Sequence, residues 1–308
     1  MVSRESGVVT RVLVTGSSGR IGHAVCECLR AAHEVVGLDR LPSATTNLVG
    51  DITEPDVLMR ALRGVDAVVH VAALHAPHVG TVADAEFDRV NVQATRRLAE
   101  LAAEAGVRQF VFTSTTALYG AASRPDCTAA AWIDEALEPR PQTVYHRSKL
   151  ATEALLQTLA EQGALAVTVL RMSRCFPEPA PLMASYRLHR GVDARDVARA
   201  HALALQMPSR PGFRRFVVSA ATPFKPEDVD ELVRDAPSVL QRRAPELVEA
   251  FARRGWRLPA TIDRVVSPAR AMNDLGWQPR HGFDDVLKML DEHSAEVLPP
   301  RRDDRISG

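Results

Sequence analysis

The stretch VLVTGSSGRIGHAV, Val12 to Val25, sets Gly16, Gly19 and Gly22 three residues apart directly after an apolar run. Glycine permits a tight turn. It also removes the side chains that would keep an anion from the backbone N–H groups at a helix N-terminus. RVLVT (Arg11 to Thr15) predicts a strand, the triplet a turn, the residues to about Ala32 a helix, and EVVGL (Glu34 to Leu38) a second strand. In that context such a triplet cradles a dinucleotide pyrophosphate, whereas an isolated glycine turn has no helix behind it. Asp39 ends the second strand, 23 residues after Gly16. A carboxylate there accepts hydrogen bonds from an adenosine ribose and repels a 2′-phosphate, which favours NAD over NADP. The neighbouring Arg40 argues the other way.

Four further β-rich runs follow: DAVVHVA (Asp66 to Ala72), QFVFTS (Gln109 to Ser114), AVTVLRM (Ala166 to Met172) and RRFVVSA (Arg214 to Ala220). Helical patterns lie between them at about 54–63, 84–105, 143–161 and 194–206. Near-continuous apolar strands need cover on both faces. Their alternation with helices predicts an α/β fold, a doubly wound parallel sheet of the Rossmann type. After about residue 221, charged amphipathic helices separated by prolines replace this pattern. The expected division is a dinucleotide-binding domain at 1–172 plus about 193–220. A smaller, mainly helical C-terminal substrate domain would take 173–192 plus 221–300, and 301–308 would be a fraying tail.

Charge excludes some partners. Lys plus Arg and Asp plus Glu both number 38, so no net field draws in nucleic acid or an anionic membrane. The longest uncharged run, Ala67 to Ala83, holds Pro77 and three histidines and is no membrane span. Cys26, Cys28, Cys127 and Cys175 include no Cys-x-x-Cys pair, and MVSRESGVVTRVLV carries no signal-peptide pattern. Reduced thiols and a cytoplasmic location are the expectation. His70, His75 and His78 lack a completing Cys or acid, so no metal is expected. Cys26 and Cys28 read as packing residues, Trp256 and Trp277 as core of the C-terminal part, and Arg253, Arg254 and Arg257 as a solvated basic face.

Tyr145 and Lys149 in YHRSK stand four apart, on one face of a helix. A nearby ammonium stabilises phenolate and moves a tyrosine pKa down from about 10, which would make Tyr145 a general base for a substrate hydroxyl. Together these motifs resemble the extended short-chain dehydrogenase/reductase family, which contains NAD-dependent nucleotide-sugar epimerases and dehydratases. TGSSGRIG resembles its T-G-x-x-G-x-x-G loop. That implies cofactor contacts from Gly16, Ser18, Gly19, Arg20, Ile21 and Gly22, with Asp39 and Arg40 at the ribose. GDIT places Asp51 and Ile52 by the adenine, and HVAA runs Ala72 and Ala73 beneath the cofactor. Asn91 in VNVQAT matches the residue opening a central helix. TSTTALYG resembles the strand end that carries the substrate hydroxyl partner. The resemblance implies that Tyr145, Lys149 and Thr115 are catalytic, that Ser114, Tyr145 and Lys149 also meet the cofactor, and that Thr115 and Thr116 meet substrate. Ser114 is the alternative to Thr115 as the orienting hydroxyl. DARDVARAHALAL and LGWQPR resemble later signatures, and the family's dimers imply a homodimer through the helices at 84–105 and 143–161.

Departures from the family pattern narrow the reaction. Dehydratases place Asp-Glu after the strand-end Thr, where this chain has Thr116 and Ala117. Arg174 stands where epimerases typically have Asn, and only a short segment links it to Asp193. The run CFPEP (Cys175 to Pro179) instead resembles uronate dehydrogenases, although the Ser-Asn-His of that group is absent. Arg174 suits a substrate carboxylate or phosphate; the plain alternative is an ion pair. The expected function is an NAD-dependent oxidoreductase of the sugar or nucleotide-sugar epimerase type. The alternatives are an NAD-dependent dehydrogenase of a free sugar or sugar acid, and a catalytically silent NAD-binding regulator.

Overall fold

The structure, a computed structural model, describes residues 10–122 and 128–305. Cys127, the N-terminal segment read for targeting and the last three residues lie outside the described residues. The elements run β1 (Arg11–Thr15), α1 (Arg20–Leu29), β2 (Glu34–Asp39), β3 (Leu48–Val49), α2 (Pro55–Ala61), β4 (Ala67–His70), α3 (Asp84–Phe87) and α4 (Ala94–Glu104). They continue with β5 (Gln109–Thr115), β6 (Ala131–Ile133), α5 (Val144–Glu161), β7 (Ala166–Met172), α6 (Ala180–His189), α7 (Ala194–Leu205) and β8 (Gly212–Val218). Last come α8 (Val229–Arg234), α9 (Ala236–Arg243), α10 (Pro245–Arg254), β9 (Arg264–Val266), α11 (Ala269–Asp274) and α12 (Phe283–Asp291).

Seven strands form one sheet in the order β3-β2-β1-β4-β5-β7-β8. β1 pairs in parallel with β2 and β4, setting Thr15 opposite Leu38 on one side and His70 on the other. The fold is therefore α/β with a parallel sheet of the Rossmann type. β-branched strands buried on both faces explain it: Val12, Leu13 and Val14 in β1 and Val68 and Val69 in β4 are fully inaccessible. The order reverses beside β1, so the C-terminal ends of β1 and β4 flank the crevice where doubly wound sheets bind ligands.

The chain divides into two compact units, Met1–Ser114 with Thr143–Leu170 and Ala198–Arg215, and Thr115–Gln142 with Arg171–Val197 and Phe216–Gly308. The sequence had assigned 115–142 to the first domain; in the contact pattern this stretch belongs to the second unit, where β6 pairs with β9. One core of the first unit gathers Leu13, Leu58, Leu98, Phe110, Phe112 and Leu156. The second unit has its own core around Leu240, Leu247, Phe251 and Trp256. Trp277, also in the second unit, is fully buried, its indole N–H donating to the Asp196 carbonyl at 2.9 Å. Both tryptophans are thus core residues.

Three segments differ from the expectation. The helix read at 84–105 is α3, a π-helical stretch at Asp88–Gln93, and α4. The short segment after Arg174 contains α6, opened by Pro179 and Pro181. The tail expected to fray instead has a 3₁₀ turn at Arg302–Asp304, held by a hydrogen bond from the Arg257 N–H to the Asp304 carbonyl at 2.8 Å.

Candidate active site

The glycine loop is shaped by contacts that leave no room for side chains. Gly16 sits at φ +73°, and a Cβ there would lie 2.7 Å from the Ala72 nitrogen. A Cβ on Gly22 would lie 1.9 Å from the Gly16 carbonyl oxygen. Gly19 differs: it is exposed, and a Cβ there would meet only the Gly16 oxygen, at 3.4 Å. Gly19 is also the N-cap of the ten-residue α1, which has no side-chain cap and no acid in its first turn. No capping side chain or first-turn acid thus competes with an anion for the positive end of the α1 dipole. Asp39 ends β2, one carboxylate oxygen accepting from the Ser18 N–H at 3.0 Å and the other from the Leu41 N–H at 3.1 Å. The first of these bonds ties the acid to the loop itself. An open, uncapped cradle with an acid at the end of the second strand fits a dinucleotide.

The other residues assigned to the cofactor fall into two groups. Arg20, Ile21, Ala72 and Ala73 are partly accessible, Ala72 lying against Gly16, and Arg40 is exposed. Asp51 accepts from the Thr53 N–H and hydroxyl at 2.8 and 2.9 Å, and Ile52 is buried in the first unit's core. Asn91 is buried, and each polar atom of its amide already has a protein partner. Its oxygen accepts from the Leu74 N–H at 2.8 Å, and its NH₂ donates to the Leu74 carbonyl and the Ser148 hydroxyl, both at 2.9 Å. Asn91 therefore ties the segment after β4 to α5. The π-helical turn around it leaves the Asn91 carbonyl to accept from the Thr95 and Thr152 hydroxyls at 2.7 and 2.9 Å.

A second buried chain, unforeseen in the sequence, runs through His70. Its Nδ1 lies 2.7 Å from the Thr15 hydroxyl and its Nε2 2.7 Å from the Thr95 hydroxyl. Thr95 donates its proton to the Asn91 carbonyl, so His70 Nε2 must carry a proton and Nδ1 must accept from Thr15. Burial, reinforced by the charge of Lys149, pushes the His70 pKa down to about 3, so the ring is neutral. The Thr15 oxygen in turn accepts from the N–H groups of Val71 and Ala72 at 3.2 and 3.3 Å. One hydroxyl thereby shapes the backbone that packs on Gly16.

Helix α5 starts at the N-cap Thr143, whose hydroxyl accepts from the His146 N–H at 3.2 Å. Tyr145 lies in its first turn and Lys149 one turn later, 8% and 3% exposed. The ammonium donates to the Thr113 carbonyl of β5 at 2.8 Å and stands 4.5 Å from the centre of the Phe112 ring. Burial pushes its pKa down to about 7, with the Glu153 carboxylate pulling the other way. On the next residue of β5, the Ser114 hydroxyl donates to Glu153 at 2.6 Å. That proton points into the protein.

Thr115, Thr116 and Arg174 lie in the second unit. The Thr115 oxygen accepts from the Ala117 N–H at 3.0 Å, a contact that leaves its hydroxyl hydrogen unused. Thr115 and Thr116 are both partly accessible. Arg174 forms an ion pair with Glu178 four residues on, its guanidinium 5.5 Å from the Phe176 ring and 5.8 Å from the Tyr186 ring. This ion pair is present in the structure and does not conflict with a substrate role for Arg174. Among the described residues no group of His, Cys, Asp or Glu side chains could hold a metal ion, and no helix is long and apolar enough to cross a membrane.

The buried lysine makes stability depend on pH with a definite sign. The folded pKa of about 7 lies below the ordinary lysine value of 10.5, so between these limits the unfolded chain binds more protons. Stability contributed at this site is complete above about pH 10.5 and is lost as pH falls to about 7. The melting temperature of wild type relative to Lys149→Met is expected to rise across that window; a flat difference from pH 7 to 10 would contradict the assignment.

Comparison with known proteins shows what the chain is similar to. Residues 12–180 match the NAD dependent epimerase/dehydratase family. A UDP-glucose 4-epimerase of Streptomyces lividans is 28% identical over 96% of this chain and 99% of its own length. An L-arabinose 1-dehydrogenase (NAD(P)(+)) of Haloferax volcanii is 31% identical, but that match spans 53% of this chain and 66% of that protein. A short-chain dehydrogenase/reductase superfamily protein from Agrobacterium tumefaciens, solved with bound NAD, superposes with a TM-score of 0.66 at 26% identity, covering 90% of this chain and 95% of that one.

Proposed function

The chain belongs to the NAD dependent epimerase/dehydratase family, and from that premise we propose that it is an oxidoreductase of the sugar or nucleotide-sugar epimerase type. NAD is its cofactor; when bound, it supplies a reversible hydride acceptor. Gly16, Ser18, Gly19, Arg20, Ile21 and Gly22 would hold its pyrophosphate and Asp39 its ribose. Tyr145 takes the proton of a substrate hydroxyl while the carbon that bears it is oxidised to a carbonyl. Lys149 stabilises the phenolate, and Thr115 donates its hydroxyl hydrogen to the reacting oxygen. Ser114, whose proton goes to Glu153, is the weaker claimant to that last role. The observation supporting this reading is the buried ammonium of Lys149, one helical turn after Tyr145 and bonded to the strand that ends in Thr115. Similarity to an epimerase along almost the whole chain supports the epimerase outcome, in which the carbonyl is reduced again from its opposite face.

A second reading, a dehydrogenase of a free sugar or sugar acid, draws on the segment after Arg174. There α6 begins six residues on and Gly191 already pairs back to Arg174, leaving little chain to clasp a nucleotide diphosphate. The test is incubation of the purified protein and NAD with uronates, aldoses and nucleotide sugars. A product isomer without net NADH supports the epimerase reading; NADH in stoichiometric amount with a free sugar or sugar acid replaces it by the second. The resemblance also supports a homodimer through the helical segments at 84–105 and 143–161 and a cytoplasmic location; sedimentation velocity checks the former.

A further inference from the structure

Helix α5 grips strand β5 at two consecutive residues with side chains of opposite charge. Lys149 holds the carbonyl of Thr113, and Glu153, four residues later on the same helical face, holds the hydroxyl of Ser114. Both are buried, Lys149 to 3% and Glu153 to 0% exposure. A second cation reaches the same carboxylate from β8, the Arg215 Nε lying 3.0 Å from the other Glu153 oxygen. A carboxylate taken wholly out of water costs several kcal/mol unless it is compensated. A strand-to-helix tether alone could be made by a neutral Gln, so the tether does not explain the charge.

From this arrangement we infer that Glu153 is a positioning residue for the reaction, holding the charge of Lys149 while Arg215 limits that hold. The inference rests on the reading of Tyr145 and Lys149 as the catalytic pair. Other groups around Lys149 do not supply the negative charge. β5 offers only the Phe112 ring and the Thr113 carbonyl, and His70, at the end of β4, is neutral. His75, beyond β4, is held below its ordinary pKa by burial, by His78 and by Lys149 itself. Around Glu153 stand the Ser114 hydroxyl on β5 and the Arg215 guanidinium on β8. Removing the carboxylate leaves the ammonium buried without an opposing charge. Removing the guanidinium leaves the carboxylate acting on Lys149 alone.

The test is the titration of the Lys149 side chain by NMR in lysine-labelled full-length protein without substrate or cofactor, the signal assigned by its loss in Lys149→Met. Glu153→Gln keeps the side-chain length and an oxygen for Ser114, and is expected to lower the Lys149 titration point by about one pH unit. Arg215→Met is expected to raise it, and Glu153→Asp to return it toward wild type. A Glu153→Gln titration at the wild-type value would overturn the inference, as would a downward shift in Arg215→Met. If Glu153→Gln does not fold, Arg215→Met decides: an upward shift supports the inference, and no shift or a downward one overturns it. The readout needs no turnover. The predicted shifts without activity on any sugar would sink the catalytic reading alone; activity without them would sink this inference alone.

Discussion

Tyr145→Phe is expected to lower kcat by about 10³-fold on whichever substrate the protein turns over, while NAD affinity and folding stay near wild type. The substitution removes one oxygen from a residue already 8% exposed and keeps the ring, so packing changes little. The chemistry loses its proton acceptor, and positioned general acid–base groups are worth about 10² to 10⁴ in rate. The remaining ammonium of Lys149 cannot substitute, because it is a donor already committed to the Thr113 carbonyl. Initial rates with the best substrate of the panel, beside calorimetric titration with NAD, check both halves. Retention of a tenth of the activity would remove Tyr145 from the proposed role. A loss of NAD binding of similar size would make it a cofactor residue first.

Gly22→Ala is the second large effect, and it acts through the backbone. A methyl group there would stand 1.9 Å from the Gly16 oxygen, where ordinary contact begins near 3.4 Å. The obstacle is main chain, so helix α1 and the loop must separate by more than an ångström. Gly16 cannot yield easily: it holds φ +73° against Ala72, whose N–H is fixed by the Thr15 hydroxyl. The expected outcome is NAD binding weakened by about 10²-fold, since an ångström of misplacement at a binding site has that scale. Stability should fall by about 2–4 kcal/mol through the strained contact. Calorimetry and urea unfolding measure the two. Wild-type values in both would show that the loop tolerates the shift and that the triplet is not needed for close approach.

Local rules made part of this molecule legible. Gly16, Gly19 and Gly22 lie within seven residues, and Tyr145 and Lys149 four apart on one helix, so spacing alone pointed to the glycine loop and the pair. The strands were visible because burial on both faces demands apolar runs. What escaped was made by contacts distant in sequence. His70 meets Thr15 and Thr95 across 55 and 25 residues, and Ser114 meets Glu153 across 39. Glu153 did leave one signal, an acid four residues past Lys149 on a helix face that is otherwise buried. The ion-pair partner of Arg174, Glu178, lies within the same CFPEP run and is equally legible in the sequence.

Sequence by itself determined the parallel α/β architecture, the glycine loop between β1 and α1 and the helix that carries Tyr145 and Lys149, because each depends on periodicity or spacing within a few turns of chain. Only the tertiary structure decided the electrical state of that helix. Burial pushes the Lys149 pKa down and the Glu153 carboxylate pulls the other way, and Arg215, which pairs with that carboxylate, lies 62 residues beyond Glu153 in the chain. Burial and through-space charge are properties of packed neighbours, and no spacing along the chain encodes them.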